Sequence, residues 1–178
     1  EDVYVYEWND YFDNNCNSFY IGGEVRALID PGLSRYVPQL LEQMRADGID
    51  PDDIRYVINT HSHPDHFEGS SLFSGTEVKI ALHAEELAFL SGPGGHLYSL
   101  FGMPKPRVEV NLALDGEEVV LGGETFRVLL LPGHSPGSLG FVVEGCVFTC
   151  DSLFTGGIGR ADLPGGVGRQ FMVSLTRR

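Results

Sequence analysis

The sequence predicts an α/β fold, and three observations support that expectation. Short apolar runs alternate with helical patterns in the first half of the chain, turn-rich β segments fill the second half, and several apolar runs end in a His or Asp. No linker, repeat or low-complexity stretch divides the 178 residues. We therefore expect a single domain over residues 1–178.

The composition excludes several classes of partner. Acidic residues outnumber basic ones, 25 against 12, and give a formal net charge of −13. This charge repels phosphate backbones and anionic bilayers, so we expect neither nucleic acid nor a membrane as a partner. The three cysteines form no C-x-x-C pair and no secretory leader is visible, which favours a cytoplasmic protein. The oligomeric state stays open.

The first half is predicted to begin with strands at 3–8, 17–21 and 24–29. Ser34 is a good helix N-cap, and apolar residues recur at helical spacing from there to Gly48, with Pro38 in the tolerated first turn. His83 is expected to be a residue of a helix N-terminus rather than a ligand. The remaining elements are predicted to be a strand at 56–58, helical residues at 68–73, a strand at 78–82 and a helix at 84–90.

The second half is predicted to be mostly β after a long loop. Residues 91–106 contain Gly-Pro-Gly-Gly and two further prolines, which predicts a loop that covers a site and exposes His96. Cys146 and Cys150 are expected on one face of the last strand as small buried residues. Hairpin-like strands are predicted at 108–112, 118–121, 125–131, 139–143 and 146–149.

The stretch N-T-H-S-H-P-D-H at 59–66 carries the most chemistry, because it holds three of the chain's six histidines directly after an apolar strand. The proline disfavours ordinary helix, and in an extended loop side chains two apart face the same way. His61 and His63 then face one point, and Asp65 and His66 a neighbouring point. Imidazole and carboxylate are ligands that zinc, iron and manganese share, so this loop predicts two adjacent metal sites.

Two later strands also end in a possible ligand. The run at 129–131 leads to Pro-Gly and then His134, and the run at 147–150 leads to Asp151. Strand ends are rigid supports for side chains that must converge. A single histidine is more often structural, but this set predicts a catalytic metal centre.

The motifs T-H-S-H-P-D-H, P-G-H-S-P-G-S, F-T-C-D-S-L-F and G-I-G-R-A-D-L-P-G-G resemble the metallo-β-lactamase fold superfamily, and most closely its glyoxalase II-like branch. The resemblance spans essentially the whole chain. It implies an αββα four-layer sandwich with the site at one edge of the paired sheets. It also implies a hydrolase that uses a metal-bound hydroxide to cleave a thioester or ester of a small molecule.

The resemblance implies a role for each site residue. His61, His63 and His134 would bind a first metal, Asp65 and His66 a second, and Asp151 would bridge the two. The catalytic group would be Asp65, His66 and Asp151. Zn²⁺ is the expected metal, two per chain, with iron or manganese as alternatives. Asp at 151 disfavours a cysteine-ligand lactamase site, and His63 separates the chain from the diiron flavoprotein branch.

One departure affects the second site. The family pattern expects a further metal-binding His after a helix, whereas this sequence stops at Arg178 within the apparent helix. The first residue is not Met, so we expect that the ends are trimmed and that the C-terminal part of the fold is truncated. The helical domain that supplies glutathione-binding residues in glyoxalase II has no room here, which leaves the substrate open.

Two other functions stay open. One is a persulfide dioxygenase with a single iron held by His61, His134 and Asp151. The other is a non-catalytic metal- or partner-binding module, which follows if the chain truly ends at Arg178. Residues 156–168 fit a flexible turn and a functional loop equally well.

Overall fold

Two β-sheets lie face to face in the computed structural model, which describes residues 2–10 and 12–176. In the first sheet the strands follow each other in chain order, antiparallel from β1 to β3 and parallel from β3 to β6. Its strands are β1 (Val3–Tyr6), β2 (Ser18–Ile21), β3 (Ala27–Ile29), β4 (Tyr56–Ile58), β5 (Lys79–Leu82) and β6 (Leu112–Ala113).

The second sheet is an antiparallel meander in the order β10-β9-β8-β7. A separate hairpin of two short strands follows it. The strands of the second sheet are β7 (Glu118–Leu121), β8 (Glu124–Leu130), β9 (Leu139–Val143) and β10 (Cys146–Phe148), and those of the hairpin are β11 (Leu153–Phe154) and β12 (Gly157–Ile158).

Five α-helices and three short 3-10 helices complete the described chain. The α-helices are α1 (Val37–Ala46), α2 (Pro64–Phe67), α3 (Ala84–Ser91), α4 (Gly95–Leu100) and α5 (Gly168–Thr176). The 3-10 helices are Pro51–Asp53, Glu68–Phe73 and Cys150–Ser152. Within the described ranges, no helix has the length and hydropathy that crossing a membrane requires.

The main core lies between the two sheets. Ile29 and Ile58 of the first sheet belong to one buried cluster with Phe126 and Phe141 of the second. Successive strand residues point to opposite faces, so Leu28 and its neighbours on β4 and β5 pack instead against α1. Both faces of the central parallel strands are therefore covered, which explains why these strands are continuous apolar runs in the sequence. The α/β layering predicted from the sequence is confirmed.

Four predictions about single elements are wrong. Helix α1 has Tyr36 as its N-cap residue rather than Ser34, whose hydroxyl instead donates a hydrogen bond to Glu68 Oε1 at 2.9 Å. Residues 24–25 form a turn and only Ala27–Ile29 pair as β3. The segment predicted as a loop at 91–106 contains α4, because Tyr98 is buried in a cluster shared with α2 and β5. Of the strand predicted at 108–112, only Leu112 belongs to β6, which pairs in parallel with β5 rather than in a hairpin.

The last strand also differs from the expectation for its cysteines. Strand β10 ends at Phe148, so Cys146 and Cys150 do not share a strand face. Cys150 lies in the following 3-10 helix with a φ of 37°. The prediction failed because the backbone turns sharply after β10 to deliver Asp151.

Candidate metal centre

The histidine-rich stretch leaves β4 as extended backbone and then becomes a short helix. His63 is the N-cap residue of α2, with φ −65° and ψ 149°, and Pro64 occupies the first helical turn. Proline is well suited to that position, since its missing N–H would have no intrahelical partner. His61 and His63 thus lie in the extended part, whereas Asp65 and His66 lie on α2, where a wholly extended loop had been expected.

Three buried imidazoles converge from the segments that follow β4 and β8. His61, His63 and His134 are 1%, 3% and 2% exposed, and their ligand-capable atoms lie within 4.8 Å of one another. The Nε2 atoms of His61 and His134 are 3.2 Å apart although 73 residues separate them in the chain. The structure therefore brings together three of the residues predicted for the first metal.

The hydrogen bonds define which ring nitrogens carry no proton and can therefore bind a metal ion. His134 Nδ1 donates to the carbonyl oxygen of Arg160 at 2.7 Å, which leaves Nε2 as the acceptor nitrogen. His61 Nδ1 lies 3.1 Å from the hydroxyl of Thr60, which itself donates to Asp30, so His61 also presents an unprotonated Nε2. Two lone pairs then face each other across 3.2 Å. Such a pair needs a proton or a cation between its members.

Asp151 and His66 extend the cluster on one side. Asp151 Oδ1 is 3.3 Å from His66 Nε2, and its Oδ2 is 3.5 Å from His134 Nε2. His61, His66 and Asp151 form a second group whose donor atoms lie within 4.8 Å of one another. Asp151 thus lies between His66 and His134, and its bridging role stays a prediction.

Asp65 lies beside this group rather than within it. No cluster of three donor atoms found among the described residues includes Asp65. Its carboxylate Oδ2 accepts a hydrogen bond from Asn14 Nδ2 at 2.8 Å. Asp65 lines an open cavity of about 610 Å³ together with His66 and Asp151. The role predicted for Asp65 thus stays a prediction.

The electrostatic environment favours neutral imidazoles at His61 and His63. Burial, and then the neighbouring imidazoles, lower the pKa of His61 well below its usual value and the pKa of His63 to about 3. Burial acts to lower the pKa of His66, but Cys16, Asp151 and Asp30 outweigh it and hold that pKa well above its usual value. Burial acts to raise the pKa of Asp151, yet His66 and the other imidazoles lower it below its usual value. Unprotonated imidazole and ionised carboxylate are the forms that bind metal ions, so His66 would have to release a proton when a metal ion binds.

The buried Asp30 carboxylate connects the histidine-rich stretch at 59–66 with the segment that carries Asp151. It is fully buried directly after β3, and its Oδ1 accepts the backbone N–H of Thr60 at 2.8 Å. Its Oδ2 accepts hydrogen bonds from Thr60 Oγ1 at 2.7 Å, His66 Nδ1 at 2.9 Å and Cys150 Sγ at 2.7 Å. One carboxylate therefore contacts two of the three segments that carry predicted ligands, residues 59–66 and residues 150–151.

Glu86 of α3 joins the two histidine-bearing loops in a similar way. This carboxylate is fully buried, and its Oε2 accepts hydrogen bonds from the N–H and the hydroxyl of Ser62 at 2.8 and 2.6 Å. Its Oε1 accepts from Ser135 Oγ at 2.5 Å and from the N–H of Gly137 at 2.8 Å. Ser62 lies between His61 and His63, and Ser135 follows His134. Glu86 therefore fixes the distance between the two loops.

The sequence analysis missed both of these carboxylates. Asp30 follows a strand directly, like the predicted ligands, and that signal could have identified it. Glu86 gave no such signal. His83, in contrast, behaves as predicted, since its Nδ1 accepts the N–H of Glu85 at the start of α3. His96 is exposed, also as predicted.

The donor set fits a metal ion on the geometry of this chain. His63 Nε2 is buried and has no hydrogen-bond partner in residues 2–10 and 12–176. A buried polar atom without a partner costs roughly 1–3 kcal/mol, and here it adjoins two opposed lone pairs. A cation shared by the three imidazoles would satisfy all of these atoms.

Comparisons with known proteins agree with this architecture. A family model described as the metallo-beta-lactamase superfamily matches residues 11–175. The chain is 33% identical over 164 residues to the probable metallo-hydrolase MJ0888 of Methanocaldococcus jannaschii, covering 85% of this chain and 74% of that protein. It is 31% identical over 166 residues to the hydroxyacylglutathione hydrolase GloC of Haemophilus influenzae, covering 87% and 74%.

A solved structure gives the same result. The crystal structure of TTHA1623 in a di-iron-bound form matches 98% of this chain and 79% of its own, with a TM-score of 0.71 and 33% identity. The αββα expectation drawn from the motifs is thus confirmed by proteins with known folds.

Proposed function

The chain belongs to the metallo-beta-lactamase superfamily, and from that premise we propose that it is a metal-dependent hydrolase, similar to glyoxalase II, that cleaves a thioester or ester of a small molecule. The observation that carries the proposal is a set of three buried imidazoles beside an ionised Asp151. Two of them, His61 and His134, face each other with opposed lone pairs. A relative named as a hydroxyacylglutathione hydrolase, 31% identical, supports the thioester class.

In this proposal His61, His63 and His134 would hold one metal ion, Asp65 and His66 would hold a second, and Asp151 would be shared by the two. Zn²⁺ is the expected ion because imidazole and carboxylate are its ordinary ligands in catalytic sites. Iron is the main alternative, since a relative with 33% identity was crystallised in a di-iron-bound form. When bound, such ions supply Lewis acidity, which lowers the pKa of water and polarises a carbonyl group.

The residues of the chain orient this site and control access to it. Hydrogen bonds from Thr60 and His66 to Asp30, and from His134 to Arg160, fix the imidazole rings so that their free nitrogens face inward. The Asp151 side chain is 28% exposed whereas the three imidazoles are nearly inaccessible. A substrate would therefore reach the site from the side of Asp151.

The cavity on that side fits a small molecule. Its volume of about 610 Å³ lies within the range of roughly 300–1,000 Å³ that is usual for small-molecule sites. Its walls combine Asp65 and Asp151 with apolar side chains such as Phe19 and Phe154. We propose a small-molecule substrate on this ground.

We also propose a reducing, cytoplasmic location, which the three free thiols of the chain support.

The test is hydrolysis by purified protein with and without bound metal. Metal content is measured first, without added metal, and turnover is then followed on a hydroxyacylglutathione thioester, simple esters and a lactone. We expect one or two metal ions per chain, hydrolysis of the thioester, and loss of turnover on chelation that returns with added metal. The variant His134→Ala should lose more than about 100-fold in turnover, since even loss of a hydrogen-bond partner of a ligand costs about 10- to 100-fold.

The control variant is His96→Ala, which removes an exposed imidazole outside the cluster and should keep full turnover. Turnover that survives complete chelation would contradict the proposal. One iron per chain with oxygen uptake on glutathione persulfide would select the dioxygenase instead. Protein that retains no metal would favour the non-catalytic module.

A further inference from the structure

Cys150 has a backbone conformation that its side chain disfavours. Its φ of 37° lies in the left-handed region, where residues other than glycine are uncommon. Such strain persists only where the surrounding structure holds the residue in place. Cys150 immediately precedes Asp151, so whatever holds Cys150 also determines where the Asp151 carboxylate lies.

The contact that holds it is a hydrogen bond to a buried carboxylate. Cys150 Sγ donates to Asp30 Oδ2 at 2.7 Å. Asp30 is 0% exposed, and the same oxygen accepts from His66 Nδ1 at 2.9 Å. A thiol is a weak donor, but a low local dielectric strengthens a hydrogen bond that lies in a poorly solvated interior. Asp30 thus links Cys150 and His66 through a single atom.

This link joins two of the residues proposed as ligands. On the other side of its ring, His66 Nε2 lies 3.3 Å from Asp151 Oδ1. These contacts form a closed ring. Asp151 is bonded through the backbone to Cys150, Cys150 and His66 both donate to Asp30, and His66 lies next to Asp151. Both His66 and Asp151 are therefore positioned by the same carboxylate, one directly and one through the thiol.

We propose that Cys150 is a positioning residue of the metal centre: its thiol, hydrogen-bonded to Asp30, holds Asp151 against His66 and so sets the affinity of the site for metal. The inference rests on the proposed function in that a metal must bind there. It goes further because it assigns a role in metal binding to a thiol outside the proposed ligand set.

The test compares three substitutions at one position. Cys150→Ser keeps an O–H donor, Cys150→Ala removes the donor, and Cys150→Gly removes it while also relieving the strained φ. We expect Cys150→Ala and Cys150→Gly to lower the affinity for Zn²⁺ by about 10- to 100-fold, as loss of a ligand's hydrogen-bond support usually does. Cys150→Ser should restore affinity to nearly that of the unsubstituted protein. Affinity is measured by competition with a chromophoric chelator, and folding by circular dichroism.

The matched control is Cys146→Ala, which removes another free thiol, on β10, and should leave affinity unchanged. Unchanged Zn²⁺ affinity in both Cys150→Ala and Cys150→Gly would overturn the inference, as would a serine variant as weak as the alanine one. Cobalt-loaded protein provides a second readout. A thiolate-to-cobalt charge-transfer band that disappears in Cys150→Ser would also overturn the inference, because the thiol would then be a ligand.

The two proposals fail in different ways. Unsubstituted protein that binds no metal contradicts the proposed function and this inference with it. Unsubstituted protein that binds metal and hydrolyses the thioester, with no effect of the Cys150 substitutions, contradicts this inference alone.

Discussion

At the scale of single residues, the position of a polar side chain at a strand end was the most informative signal. His61, His134 and Asp151 were predicted from it, and the structure brings all three within a few ångströms of each other. Asp30 has the same position after β3 but was overlooked, because an Asp before Pro-Gly is also an ordinary turn residue. Cys150 could not have been predicted, since its role depends on a positive φ that no local pattern encodes.

A close backbone approach near the site gives a prediction at this scale. A Cβ atom added to Gly159 would lie 1.8 Å from the carbonyl oxygen of Asp151. Gly159→Ala must therefore displace the Asp151 segment. We expect it to lower the free energy of unfolding by about 1–3 kcal/mol, as overpacking does, and to weaken metal binding.

Gly157→Ala is the matched control, because a Cβ atom at Gly157 would have no neighbour within 4 Å. Urea unfolding of both variants checks the prediction. Equal stability of the two variants would contradict the prediction, because the Asp151 segment would then move without a measurable cost in the free energy of unfolding.

At the scale of secondary-structure elements, the sequence predicted those that local periodicity defines. Helix α3 was predicted within one residue of its observed end at Ser91. Its inward carboxylate was not predicted, because Glu85 and Glu86 are adjacent acidic residues in the first turn and no local pattern distinguishes them. Helix α4 was missed because glycines and prolines surround it, and burial of Tyr98 stabilises it instead.

Helix α3 is predicted to support the site through Glu86. Glu86→Ala would leave the buried N–H groups of Ser62 and Gly137 without their acceptor. Each unsatisfied buried donor costs roughly 1–3 kcal/mol, so we expect a loss of about 2–5 kcal/mol in the free energy of unfolding. Metal affinity should fall as well, since both histidine loops lose their common contact.

Urea denaturation measures the stability of this variant. Glu85→Ala provides the control, since that neighbouring side chain is exposed and should change stability by less than about 0.5 kcal/mol. A Glu86→Ala protein as stable as the control would show that water replaces the carboxylate without cost.

At the scale of the whole molecule, the fold class was predictable whereas several element boundaries were not. Apolar runs alternate with helical patterns in the sequence, and this alternation predicted the layers, because helices must cover both faces of a parallel sheet. Residues 91–113 departed most from prediction, and their structure depends on contacts with α2 and β5 rather than on local sequence. The convergence of His61, His134 and Asp151 was predictable because each of them follows the end of a strand.

Metal removal should destabilise the whole molecule. A ligand that binds only the folded state at about 100 times its dissociation constant adds roughly 2.7 kcal/mol. For a chain of this length that corresponds to a rise of about 5–10 °C in melting temperature. We expect Zn²⁺ to produce this shift in chelator-treated protein, as measured by differential scanning calorimetry. Mg²⁺, which prefers oxygen ligands, should not, and neither should Zn²⁺ added to the variant His61→Ala.

The distance along the chain between His61 and His134, which face each other at 3.2 Å, has a consequence for biosynthesis. During translation the first histidines leave the ribosome long before His134 and Asp151 exist. A nascent chain therefore cannot bring His61, His134 and Asp151 together until the segment up to Asp151 has emerged. Metal loading should follow that point, and ribosome-bound chains that stop before residue 134 should bind metal far more weakly than longer ones.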